Sequence, residues 1–538
     1  MRNSEQQVNN DQVDNKVLVV AFDCAEKTLI ERWMNEGRLP NLKSLYERGA
    51  YGKLDSTAGE LVATPWPTVV TSQWPVEHGF ICWMQWRPEL MDEQRADETW
   101  VKLNPFYRRL GPLGKRVIAV DVPMADRPEP FDGLEVVSWG SYDKLSELSS
   151  HPPELVERLA RQYHRLPMGP ELGESEPVRA KLRLRDQMVH GTQRVGEACA
   201  DLCRQEEWDL FLVGFGATHR AGHNLWNHAA FTEAQPDPKL AAEYDQALCR
   251  VYEAVDRELG RLLKAISDHT AVCVLATHGV RDSTSRFELL PEMLNRILHD
   301  RYVSAEEARP SKPKLLKRIR RAIPVTWRSR IKRSLPKHVQ DALTKFWQGK
   351  GHRDWSTIRA FVPTGDLEGY VRVNLKGRER DGVVAPDEFE PLLAKITEGL
   401  RSWKDRATGE PIVAEVVRGA DLWPEVPAEQ RHPSMPDLIV KWSDRPTIQT
   451  PVMVSEQYGE LHWPVPNKHP DGRSGHHQST GWMVAAGEGI EPGARFEAHG
   501  IDLAPTWMAM LGLKPFEEMR GHPIEALRPS SESATISG

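Results

Sequence analysis

The sequence predicts an α/β fold, with a central, mostly parallel sheet, helices on both faces and helical insertions. Two observations carry this. The runs KVLVVAF (16–22), RVIAVDV (116–122), DLFLVGF (209–215) and AVCVLAT (271–277) are apolar with little polar alternation, and short runs of this kind fit strands buried on both faces. Long charged stretches with helical periodicity lie between them, the pattern of an α/β architecture.

Taken in order, helices are expected over 25–34 and 41–48 after the first strand, over 179–206 before the third, and over 238–269 before the fourth. A fifth run, GWMVAAG (481–487), precedes DLAPTWMAMLG (502–512), a helix with Asp502 near its start and Gly512 at its end. The sheet therefore draws on both halves of the chain. Residues 81–200, rich in Trp and Pro, read as a surface elaboration within a first catalytic part spanning 16–300. A basic helical insertion is expected over 301–354 and a second catalytic part over 355–528. The ends, 1–15 and 529–538, read as disordered tails.

Composition excludes several classes. With 538 residues, 70 Lys+Arg against 77 Asp+Glu and a net charge of −7, the charge is too mild for the whole surface to bind anions. Apolar stretches fall well short of the ~20 residues of a membrane span. The N-terminal fifteen residues are polar and carry no apolar leader core, so a cytoplasmic location is the expectation. Six Cys, at 24, 82, 199, 203, 249 and 273, lack the density and spacing of a disulfide framework or a zinc clip. They read as free, mostly buried thiols, with Cys199 and Cys203 able to share a helix face.

The charge is unevenly placed. Residues 308–340 hold twelve Lys/Arg and no acidic residue, so the overall balance conceals a basic module on a more acidic body. Leu315, Leu316, Ile319, Ile323, Trp327, Ile331 and Leu335 recur there at helical spacing, interrupted by Pro324. Three roles suit such a segment: a lid over an anionic substrate, a contact for an anionic membrane surface or nucleic acid, or a solvated helical hairpin.

Three of the predicted strands run into residues with metal-ligand chemistry, and in a doubly wound sheet ligands collect at the carboxyl ends of strands. The first leads to Asp23, the third to His219 and the fourth to His278. On a helix His219 and His223 stand one turn apart on one face, where two imidazoles reach a single ion, and His476-His477 precedes the late strand. Taken singly, each has a plainer reading as a cap, turn or surface residue. Together they point to a divalent cation, zinc first, with manganese or iron as alternatives. A nucleophile is suggested by Thr64-Pro65, because Thr before Pro reads as a helix cap whose hydroxyl sits at the positive end of the helix. Thr68, Ser56 and Thr57 are the neighbouring alternatives.

The stretches AFDCAEKTLIERWMNEGRLPNLKSLYERGAYGKL, ATPWPTVVTSQWPVEHG, FGATHRAGHNLW, LATHGV, GHHQSTGWMVAAGEGI and IDLAPTWMAMLGL together resemble the alkaline phosphatase superfamily, in its type I phosphodiesterase/nucleotide pyrophosphatase branch. The resemblance implies an alkaline-phosphatase-like α/β/α sandwich and a two-metal hydrolase. Asp23, Thr64 and His278 match one ion's ligands, and His219, His223 and His477 the other's. Two carboxylates of that pattern are missing: His219 replaces an Asp, and Thr277 precedes His278 where the family has Asp-His. One ion on His219, His223 and His477 is therefore easier to justify than two. The family's nucleophile position, counted back from Thr71-Ser72, falls on Val62, so Thr64 requires a short shift. The segment YVRVNLKGRERDG (370–382) resembles one in bacterial members, and Arg372, Asn374 and Arg378 would suit an anionic substrate group. His462 and His469 flank a Trp-Pro loop that could border the site.

The resulting expectation is a metal-dependent hydrolase of a small anionic ester, a phosphodiester or phosphoanhydride, working through a threonine nucleophile. The alternatives are a phosphoryl or sulfuryl transferase or sulfatase-like enzyme on the same fold, and a catalytically degenerate anion binder. Oligomeric state is not legible in the sequence.

Overall fold

The computed structural model describes residues 15–528, except 97–99, 102, 126, 141–146, 165–175, 227–236, 305–334, 336–338, 340–353, 366, 447–448, 464–472 and 474. The basic segment 308–340 thus lies outside the described residues apart from Leu335 and Val339, as do His469 and both tails up to residue 14 and from residue 529.

Among the described residues, nine strands form the central sheet, in the order Arg495–His499, Ala50–Asp55, Thr480–Ala486, Ala271–Ala276, Val17–Phe22, Leu210–Phe215, Val117–Val120, Gly133–Val137 and Ser149–His151. Val17–Phe22 lies in the middle, parallel to both neighbours, with Val17 opposite Leu210 on one side and Ala271 on the other. All five expected strands are present. The late one, Thr480–Ala486, runs antiparallel to Ala271–Ala276 and to Ala50–Asp55.

Alternation along the central strand divides the core. Leu18, Val20 and Phe22 face one cluster with Ile30, Leu42, Cys199, Val255 and Trp482, which belong to or adjoin the helices Lys27–Asn35, Pro40–Arg48, Val178–Gln205 and Ala247–Leu263. Val17, Val19 and Ala21 face the other with Trp66, Val69, Leu503 and Trp507, from the helices Pro65–Thr71 and Leu503–Met510. A strand apolar on every residue is what helices on both faces require. Residues 238–269 form two helices, Pro238–Asp245 and Ala247–Leu263, rather than one. The region 81–200 is less peripheral than its composition suggests: it supplies three sheet strands and the 28-residue helix Val178–Gln205.

Part of the second half of the chain builds a core of its own. The helices Leu290–Leu298 and Pro386–Arg401 pack with a four-stranded antiparallel sheet, ordered Ala360–Phe361, Gly369–Val373, Leu438–Trp442 and Val413–Arg418. The chain then returns to the main sheet through Gly475–Gln478, which pairs antiparallel with Gly279–Asp282 and sets His477 opposite Val280. Among the described residues, no helix is long and apolar enough to cross a membrane.

Candidate metal centre

Asp23 follows the central strand directly. His219 and His223 lie on the helix Ala217–Leu225, which begins two residues after Leu210–Phe215. The Thr218 hydroxyl donates to the Asp23 carbonyl at 2.6 Å and so ties this helix to the first loop. Gly222 on the helix faces Gly475 on the returning strand, where a Cβ on Gly475 would overlap the Gly222 carbonyl oxygen. That close approach brings His477 onto the helix.

The three Nε2 atoms of His219, His223 and His477 form a triangle with sides of 3.0, 3.0 and 3.2 Å. His219 Nδ1 lies 2.8 Å from Asp23 Oδ2, and His223 Nδ1 lies 2.8 Å from the Gly475 carbonyl. A carboxylate and a carbonyl only accept, so both Nδ1 atoms are donors, and neutral rings leave both Nε2 atoms as bare lone pairs facing one another. Hydrogen bonds cannot satisfy all three sides of such a triangle. A cation can: three nitrogens each ~2.0–2.1 Å from one ion stand about 2.9–3.4 Å apart. The donor set fits a zinc-type ion, with Asp23 as the carboxylate that orients a ligand histidine.

Electrostatics agree with this assignment. Burial, reinforced by the surrounding histidines, holds His477 well below the usual imidazole range, and burial takes His278 down to about 4. Both rings are neutral at pH 7 and keep a free lone pair. For Asp23 burial pushes upward, but the electrostatic pull and hydrogen bond of His219, with His278 and the Trp66 indole, together outweigh it and leave the carboxyl below its ordinary value. The His219 side chain is 33% exposed whereas that of Asp23 is 5% exposed, so the triad opens to solvent on the His219 side.

Asp23 makes two side-chain contacts here. Its Oδ2 is taken by His219 and its Oδ1 accepts from Trp66 Nε1 at 2.9 Å. His278 lies beside the triad, its ring centroid 4.6 Å from that of His477, with Nδ1 2.9 Å from Thr277 Oγ1. Thr64 is completely buried, at the start of Pro65–Thr71, and its side chain caps nothing. Instead, its hydroxyl turns back to the Leu61 carbonyl at 2.7 Å and Thr57 Oγ1 at 2.6 Å. The helix-cap geometry expected from Thr-Pro is therefore absent, because the αR conformation of Thr64 directs the hydroxyl into the preceding turn.

Arg372, Asn374 and Arg378 lie in the second core and are committed to protein partners. Arg372 and Arg378 both pair with Glu379, and Arg378 also with Asp437 at 2.6 Å. Arg372 is fully buried and also donates to the Met435 carbonyl at 2.6 Å. Asn374 donates to the carbonyls of Trp355 and Ile358. These contacts clamp the second core and are the partners that the fold gives the three residues expected to suit an anionic substrate group. His462 pairs with Glu460 at 2.8 Å in the same lobe. Trp66, whose indole donates to Asp23, carries no local signal in the sequence that would mark it as part of the site.

The family model for type I phosphodiesterase / nucleotide pyrophosphatase matches residues 17–450. Human ectonucleotide pyrophosphatase / phosphodiesterase 5 aligns structurally over 93% of this chain and 96% of its own, with 12% identity and a TM-score of 0.44. Phosphonoacetate hydrolase from Sinorhizobium meliloti 1021, in complex with phosphonoformate, aligns over 92% and 95%, with 14% identity and a TM-score of 0.48. No curated protein matches the sequence.

Proposed function

The chain belongs to the type I phosphodiesterase / nucleotide pyrophosphatase family of phosphoester hydrolases, and from that premise we propose that it cleaves a phosphate diester or phosphoanhydride with one divalent cation and a threonine nucleophile. The observation that carries the metal dependence is the triangle of three Nε2 atoms, which hydrogen bonding cannot satisfy. His219, His223 and His477 would hold the ion, and Asp23 orients His219. Bound there, a zinc-type cation supplies Lewis acidity to a phosphoryl oxygen.

The chain's own residues do the rest. Thr64 Oγ1 attacks phosphorus as the bond to the leaving oxygen breaks, and the hydroxyl proton passes to the departing group. Water then cleaves the phosphothreonine and restores the hydroxyl. Thr57, 2.6 Å away, orients Thr64. It is also the second candidate nucleophile, because its turn, Thr57–Gly59, packs beside the returning strand: a Cβ on Gly59 would lie 3.1 Å from Ser479 Cβ, two residues from His477.

The test assays the full chain on diester, monoester and sulfate ester substrates, as purified, chelated and reloaded with Zn²⁺ or Mn²⁺, beside Thr64→Ala, Thr57→Ala and His223→Ala. Chelation and His223→Ala are expected to abolish diester turnover, and Thr64→Ala to lower it by 10³-fold or more, on the order of losing a nucleophile. Turnover that survives in Thr64→Ala but falls in Thr57→Ala moves the nucleophile to Thr57. Turnover indifferent to chelation removes the metal from the mechanism.

A further inference from the structure

The triad supplies three ligands, and the loop that carries Asp23 brings a further donor beside them. Cys24 is fully buried, at φ 57°, and its thiol donates to the Gly279 carbonyl at 3.2 Å. Gly279 is the residue after His278. Ligand atoms of Cys24, His219 and His477 all lie within 4.8 Å of one another, a group to which His223 does not belong.

A second observation points the same way. His278 Nε2 and His477 Nδ1 have no hydrogen-bond partner, although the two residues are only 3% and 8% exposed. Leaving a buried polar atom unpaired is costly, and two such atoms beside three converging imidazoles mark a cluster built around something other than its own hydrogen bonds.

We propose that Cys24 is a thiolate ligand of the cation held by His219, His223 and His477, so that the centre is a mixed nitrogen–sulfur site. The inference rests on the metal reading above. On binding, the S–H bond breaks, the proton leaves to solvent, and sulfur exchanges its hydrogen bond to Gly279 for a bond to the ion. The thiolate brings a negative charge to a ligand set otherwise made of imidazoles. Its softness biases the site towards zinc, cobalt or cadmium over manganese or magnesium. The other five cysteines are also buried, but none of them belongs to the group that converges on His219 and His477.

The experiment strips the full chain with a chelator, reloads it with Co²⁺ and records absorption spectra of wild type, Cys24→Ser and Cys24→Ala. Wild type is expected to show visible ligand-field bands together with a near-ultraviolet sulfur-to-cobalt charge-transfer band. Both variants are expected to keep the ligand-field bands and lose the charge-transfer band. Cobalt bound by wild type without that band, or an undiminished band in Cys24→Ser, overturns the thiolate assignment and leaves the histidine triad standing. A folded wild type that takes up no cobalt removes the triad reading and the thiolate with it. Because the wild-type spectrum alone decides the first outcome, a variant that fails to fold does not shield the proposal.

Discussion

Asp23 illustrates how a residue type legible in the sequence acquires a role only from its neighbours. An acidic residue at the end of a central strand reads as a metal ligand, yet both of its oxygens are occupied, one by His219 Nδ1 and one by the Trp66 indole. In the proposed centre it orients the ligand His219. Asp23→Asn is therefore expected to weaken metal binding by about 10–100-fold, the usual effect of losing a carboxylate behind a ligand histidine, as measured by chelator competition, without abolishing it. Arg372 makes the complementary case. Its charge suggested an anion site, but the side chain is wholly buried against Glu379, itself buried. Removing one partner of a buried pair typically costs about 3–5 kcal/mol. Arg372→Ala should lose that much in denaturant unfolding while bound metal per chain, measured by elemental analysis, stays at the wild-type value. A weakened substrate affinity with unchanged stability would return Arg372 to the binding role.

At the scale of elements, the strands with unbroken apolar runs were legible, and those at the margins of the sheet were not. Arg495–His499 and Ser149–His151 occupy the two edges, where one side is solvated and polar residues are tolerated. Ala50–Asp55 lies inside the edge but contains Gly52, whose missing Cβ leaves room for the Phe496 ring. Its pairing with Thr480–Ala486 is a tertiary event with no local signal. The element that matters most for function is short: Gly475–Gln478 exists as a strand because it pairs with Gly279–Asp282. Its glycine permits the approach to the His219 helix. Gly475→Ala puts a methyl group onto the Gly222 carbonyl and should displace His477. The expected result is a sharp loss of bound divalent metal in elemental analysis with the far-ultraviolet circular dichroism of the main sheet retained. Wild-type metal content in that variant would show that the strand can shift without moving the triad.

The whole molecule joins two cores through a junction of mixed character. Leu61 and Ile81 from the catalytic side pack with Tyr370 and Ile439 from the other, and Lys441 bridges to Glu60 at 2.8 Å. Glu368 lies in this region, 3% exposed and with one carboxyl oxygen unpartnered. Burial raises it to about 8, against the lowering pull of Arg281 and Lys441. Between its ordinary value of 4.5 and about 8 the folded chain holds a proton that the unfolded chain has released, so stability falls as pH rises through that window and levels off above it. Glu368→Gln should therefore match wild type in melting temperature at pH 4.5 and exceed it increasingly towards pH 8.5. A difference independent of pH would show that Glu368 does not titrate across the window.

Residue order alone determined the α/β class, the strands buried on both faces and the histidines and aspartate at their ends. These signals are local: an apolar run, a helical spacing, a residue type at a strand terminus. The tertiary structure decided what the local pattern left open. It assigned Asp23 to His219, turned the Thr64 hydroxyl into the preceding turn, buried Arg372 against Glu379 and set Cys24 beside the triad. Each outcome depends on contacts between segments distant in the chain, 252 residues apart in the case of His223 and the Gly475 carbonyl. Tautomer, burial and partner are properties of that assembled environment.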